Sequence, residues 1–137
     1  MNEYAKKQMV AIHEVRKNYT FALYSSIVKK TPVDTGRARA NWNVSAGSPD
    51  LSTSEETRES PKSISTIPDP QGDESMFISN NLPYITKLEY GGYPNPPKGG
   101  NGKTVDGYSK QAPEGMVGVT LANNENIFNA AVRSIKR

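Results

Sequence analysis

Apolar residues first recur at helical spacing. From Asn2 to Lys30 the chain has neither proline nor glycine. Ala5, Met9, Ile12, Tyr19, Leu23 and Ile27 fall at steps of three, four and seven, which puts them on one stripe of a long helix. A second set, Val10, Phe21, Tyr24 and Val28, falls on a different side of that helix. One buried stripe suffices for a helix in a small monomer, so the second set reads as a subunit contact. Burial of both sides within one chain is the competing reading. At Arg37 the period changes to two. Arg37, Arg39 and Asn41 alternate with Ala38, Ala40 and Trp42, so residues 37–46 read as a strand with one buried face. Further strands are predicted at 62–67, around Ile64 and Ile67, and at 74–80. Tyr84, Ile85 and Leu88 mark a short helix that starts at Pro83 and runs to about Tyr90. Val117, Leu121, Phe128, Ala131 and Ile135 share one face of a last helix over 113–136. A strand at 116–121 followed by a helix after Asn123 is the alternative.

The joints between these elements carry dense turn chemistry. Pro32 disfavours a helical Thr31, Asp34 can bond its own backbone two residues on, and Gly36 takes a positive φ without penalty. Pro32, Asp34 and Gly36 therefore define a rigid corner between the first helix and the strand-like segment at 37–46. Residues 47–75 are dominated by Ser, Thr, Pro, Asp and Glu and read as a long loop or exposed hairpin tip. Residues 91–112 are too rich in Gly and Pro for a packed element. There Tyr93 and Tyr108 stand among Lys98, Lys103 and Lys110, a composition that suits docking on a protein partner. Stacking on nucleic-acid bases is the other use of such a loop. Glu114, beside Pro113, is expected near the positive end of the last helix.

Alternating helical and strand-like segments separated by such loops predict an α+β fold. Its long N-terminal and C-terminal helices pack on a small antiparallel sheet. With 137 residues, 34% of them apolar, residues 1–137 read as a single domain with a modest core. There is no apolar run long enough for a membrane span, and no membrane partner is expected. The absence of cysteine excludes disulfides and thiol chemistry, and suits an intracellular protein.

The net charge of +3 is unevenly placed. Residues 1–42 carry eight Lys/Arg against three acids, residues 43–75 two against seven, and residues 76–137 seven against four. A basic balance permits nucleic-acid contact, so a small non-specific nucleic-acid-binding protein is the alternative function.

Groups for catalysis are sparse. The single histidine, His13, has no His or Cys companion, so neither a metal nor a cofactor is expected. Gly99-Gly100-Asn101-Gly102-Lys103 neither follows a strand nor opens a helix, as a phosphate-cradling loop would. Asp34-Thr35-Gly36 resembles the Asp-Thr-Gly of retroviral-type aspartic proteases. That motif ends an apolar strand, whereas here it follows Lys-Lys-Thr-Pro at a helix end. Asp34 is read as a turn-former, and no enzyme activity is expected.

The whole pattern is similar to a known family. Thr31-Pro32-Val33-Asp34-Thr35-Gly36-Arg37 after a long helix, Leu82-Pro83-Tyr84-Ile85-Thr86-Lys87-Leu88-Glu89-Tyr90-Gly91, and Ala112-Pro113-Glu114-Gly115-Met116 stand in that order. In this the chain resembles the tail-completion, or minor tail component, proteins of long-tailed bacteriophages. The resemblance covers both termini and the centre; residues 47–75 match nothing in it. It implies a structural virion protein of the neck, assembled in the host cytoplasm. Such a protein forms a ring of six copies that joins the tail terminator or tail-tube protein to the head–tail connector. Viral DNA would pass through the lumen without sequence-specific contact.

Overall fold

The computed structural model describes residues 2–33, 36–91, 104–105, 108–109, 112 and 114–135, and side chains for these apart from 5–11 and 104–105. The fold is α+β. A 28-residue helix, α1 (Glu3–Lys30), opens it. It is about 42 Å long at 1.5 Å per residue. Glu3 in its first turn and Lys29 and Lys30 in its last complement the helix dipole. It ends at the predicted place, where the Thr31 amide bonds the Val28 carbonyl at 3.0 Å and Pro32 is buried.

Residues 37–46 are not one strand. Arg37–Ala40 forms a one-turn helix, α2, and only Asn43–Ala46 is extended, as β1. Four residues alternating Arg and Ala satisfy a period of two, yet both are strong helix formers. Gly36 in the left-handed region, at φ 79°, turns the chain into helix before Trp42. The predicted strand at 62–67 is instead a 3-10 turn at Ile64–Thr66, followed by a buried Ile67. The strand at 74–80 is present as β2 (Met76–Ser79), antiparallel to β1 with Asn43 opposite Ser79 and Ala46 opposite Met76.

The helix after Pro83 is present as α3 (Ile85–Tyr90), ended by Gly91 at φ 79°. The Gly/Pro-rich region does hold regular structure: β3 (Thr104–Val105) pairs antiparallel with β4 (Tyr108–Ser109). Asp106-Gly107 between them is a strong hairpin signal that the overall Gly and Pro content masks. The last helix is two, α4 (Val117–Ala122) and α5 (Asn124–Arg133), so the helix after Asn123 is present and the strand before it is not. At the break the Asn124 side-chain NH2 donates to the Leu121 carbonyl at 2.6 Å, a local bond that competes with helix continuity, and the Asn126 side-chain NH2 donates to the Asn123 side-chain oxygen at 2.8 Å.

The core joins α1, the corner, α3 and the start of α4. Tyr24, Ile27, Val28, Ala38, Trp42, Ile67, Leu82, Ile85, Leu88, Ala112 and Met116 form one buried cluster, with Val44, Met76 and Ile78 packed against it from β1 and β2. The core face of α1 is therefore rotated from the predicted stripe. Ile27 is buried, but Ile12 is 56% exposed and Tyr19 and Leu23 are half-buried. The cause is that α1 is covered on two sides. The core packs on one, and α4 and α5 on the other, where the Tyr19 and Phe128 rings meet edge to face at 5.2 Å. Of the face predicted for the last helix, Ala131 is buried, Val117 and Ile135 are half-buried, and Leu121 and Phe128 are exposed. No helix among the described residues is long and apolar enough to cross a membrane.

Candidate functional site

The corner is built as a hydrogen-bonded joint. The Thr31 hydroxyl donates to the Ile27 carbonyl at 2.7 Å and accepts from the Trp42 indole N–H at 2.9 Å, so one hydroxyl fastens the end of α1 to the only tryptophan. Arg39 ties the same helix end to the long loop. Its guanidinium donates to Lys29, Thr31 and Glu59 carbonyls at 2.9, 2.7 and 2.6 Å. A cation on the last carbonyls of a helix satisfies groups that have no partner within it.

Gly36 completes the joint. Its carbonyl accepts from the Ala40 and Arg58 amides at 3.1 and 3.0 Å, and a Cβ added there would lie 3.1 Å from Arg58 backbone atoms. Glycine is thus required twice, by φ and by the close approach. Asn41 ties in the next loop. Its side chain donates to the Ser54 carbonyl at 3.0 Å and accepts from the Ser54 amide at 2.8 Å. Pro32 and Gly36 occupy the corner as expected; Asp34 lies outside the described residues.

The predicted subunit contact is corrected by the packing. Tyr24 is 1% exposed and Val28 0%, both inside the chain's own core. The Tyr24 hydroxyl also accepts the Lys62 amide at 3.0 Å, which anchors the long loop. Phe21 is half-buried, packs against the same core and lies beside the Tyr24 ring. Two-sided coverage of α1, the competing sequence reading, accounts for all three. The Val10 side chain lies outside the described residues. Of the predicted docking loop, Tyr108 is half-buried in β4, whereas Tyr93, Lys98, Lys103 and Lys110 lie outside the described residues.

Glu89 is the residue that sequence reading missed. Its carboxylate accepts from the Met116, Val117 and Gly118 amides at 2.8, 2.7 and 2.9 Å. It therefore closes the start of α4, the place expected for Glu114, which is exposed. Gly115, at φ 82°, lies so close that a Cβ would meet the Glu89 carbonyl oxygen. The signal was present: an acid in the last turn of α3 is set against the helix dipole and needs a partner from outside that helix. This carboxylate and the shared core residues Leu82, Ile85, Leu88, Ala112 and Met116 tie the central and C-terminal segments of the resemblance together.

Residues 47–75 are ordered by contacts from several sides. Arg16 donates to the Gly72 and Glu74 carbonyls, Lys17 pairs with Asp69 at 2.9 Å, and the Ser79 hydroxyl donates to the Asp50 carbonyl at 2.7 Å. At the tip, the Ser52 hydroxyl and then the Ser52 amide bond the Asp50 carboxylate and hold its pKa below the ordinary aspartate value. Among the described residues no group of three or more His, Cys, Asp or Glu is placed to hold a metal ion. No protein-family model matches the chain, and no curated protein or solved structure does.

What the arrangement does chemically is bind backbone. Arg39, Asn41 and Glu89 each aim a charged or amide group at main-chain atoms from a distant part of the chain. The joint is a rigid framework, with β1 and β2 attached to one side of its core.

Proposed function

We propose that this chain is a structural protein of a long-tailed bacteriophage virion. It completes the tail and joins it to the head connector as a six-membered ring around the DNA channel. The observation that carries the reading is the convergence of the three segments in which the chain resembles tail-completion proteins. The first segment buries Thr31 and Pro32 and leads directly into Ala38 and Trp42 of the core, the central segment supplies Leu82, Ile85 and Leu88, and the last segment Ala112 and Met116. Segments far apart in sequence thus build one unit. Their polar side chains are engaged in fastening it, through Thr31, Arg39 and Glu89. A neck protein is loaded mechanically by genome packaging and passage, and a joint whose buried Thr31, Asn41 and Trp42 polar groups are all bonded suits that task.

The partners in this reading are other copies of the chain, the tail terminator or tail-tube protein, and the head–tail connector. DNA crosses the lumen through weak, non-specific electrostatics. The test is electron microscopy of lysates from a phage with this gene disabled. Full heads and finished tails should accumulate unjoined, and supplying the protein should join them. Normal joined particles in the disabled phage would overturn the reading. Salt-sensitive binding of free DNA with no joining defect would replace it by the nucleic-acid-binding alternative.

A further inference from the structure

The β1–β2 ribbon has two open edges. The Gly47 amide bonds the Ser75 carbonyl at 2.8 Å, in register with the pairs from Asn43–Ser79 to Ala46–Met76. Antiparallel pairs alternate between exchanging both backbone bonds and exchanging none. Asn43–Ser79 and Ser45–Phe77 are therefore the bonded pairs, and Val44–Ile78 and Ala46–Met76 are not. The N–H and C=O groups of Val44 and Ala46 point out from one edge, and those of Met76 and Ile78 from the other. Among the described residues, none of these outward groups makes a hydrogen bond within the chain.

Proteins normally blunt such edges with Lys, Pro or a covering element. Asn43-Val44-Ser45-Ala46 and Met76-Phe77-Ile78-Ser79 contain no charge and no proline. The nearby loop bonds the strands through the Asn43 and Ser79 side chains, which reach the Ser52 and Asp50 carbonyls, and leaves the outward backbone groups free.

We propose that these edges are the self-assembly site: the β1 edge of one copy pairs with the β2 edge of a second copy, so that one sheet runs on from subunit to subunit. Both edges are four residues long, and each offers two outward N–H and two outward C=O groups. Joining unlike edges satisfies both edges of every copy with a single kind of contact. Joining like edges would leave one open. A contact between unlike surfaces is the head-to-tail kind that closes into rings, and closure removes the free edges altogether. The inference rests on the ring proposed above and names the contact that forms it.

The test is amide hydrogen exchange on the whole chain, from dilute solution to about 1 mM. The Val44, Ala46, Met76 and Ile78 amides should slow by about tenfold or more on assembly. The inward amides of Ser45 and Phe77 should be protected throughout and serve as the internal control. Ala46→Pro removes an outward N–H that bonds nothing in the chain, so the monomer should keep its circular dichroism and melting temperature while sedimentation shows assembly weakened about tenfold or more. Ser45→Lys puts a charge beside the same edge at the cost of one exposed bond, from the Ser45 hydroxyl to the Ser48 carbonyl, and should do likewise if Ala46→Pro perturbs folding. A wild-type chain that stays monomeric at that concentration, outward amides that do not slow, or two variants that assemble normally would each overturn the edge contact. None of those results affects the head–tail role, which the disabled phage decides separately.

Discussion

The corner runs directly into β1, yet the corner and the β1–β2 ribbon are opposite in what they leave unbonded. At the corner, Thr31, Arg39 and Asn41 meet main-chain groups from α1 and the long loop, and Trp42 closes the packing. In the ribbon Val44, Met76 and Ile78 pack on the core, but half of the backbone groups point outward without partners among the described residues. The contrast separates two tasks. Side chains that close on their own chain make a unit that holds its shape. Backbone groups left at an edge make a surface only another strand can complete. The proposed ring would use both: a unit rigid on its own and an edge for the next copy.

Trp42 tests the closed side most severely. Trp42→Ala removes the largest side chain of the joint and leaves the Thr31 hydroxyl without its donor. It should cost about 3–5 kcal/mol, a large share of a typical domain's stability. Urea denaturation measures it; a loss below about 1 kcal/mol would mean that the corner is not the keystone of the fold.

Glu89→Ala leaves three amides at the start of α4 without their acceptor and should destabilise by about 1–3 kcal/mol. Glu114→Ala, at the exposed acid that sequence reading favoured, should stay within about 0.5 kcal/mol. Equal effects would erase the distinction between the two acids. Gly36→Val combines a positive φ with a close approach to Arg58 and should cost about 1–3 kcal/mol in the same assay.

The smallest effect is at the loop tip. The pKa of Asp50 is lowered in the folded state by its bonds to Ser52, so its contribution to stability is present above the pKa of an unfolded aspartate. That contribution is lost as pH falls through the depressed folded value. Asp50→Asn removes that contribution, so urea denaturation should show a slightly lower stability near neutral pH and a difference from wild type that vanishes as pH falls through the depressed folded value.

Much of the fold was legible because its boundaries rest on local chemistry. Pro32 stops α1, Gly36 makes the corner and Gly91 ends α3, each where its backbone preference predicts. What was not legible depends on partners remote in sequence. The helical stripe could not say that α1 is covered on two sides, so Tyr24 and Val28 were assigned to a neighbour rather than to the core. Nor could spacing pair Glu89 with Met116, because nothing local fixes a contact across that interval. Arg37 to Ala40 failed for a different reason: four residues are too few for a period to choose between helix and strand. For the candidate site, the corner was readable and the open edges were not, since an edge exists only once strands have paired.

The proposed place in the joint between head and tail is the claim on which the proposed ring depends. Quantitative mass spectrometry and cryo-electron microscopy of purified, joined virions test it together. The chain should be present in the virion at ring stoichiometry, with its density between the connector and the end of the tail tube. A purified, infectious virion from which the chain is absent would contradict it.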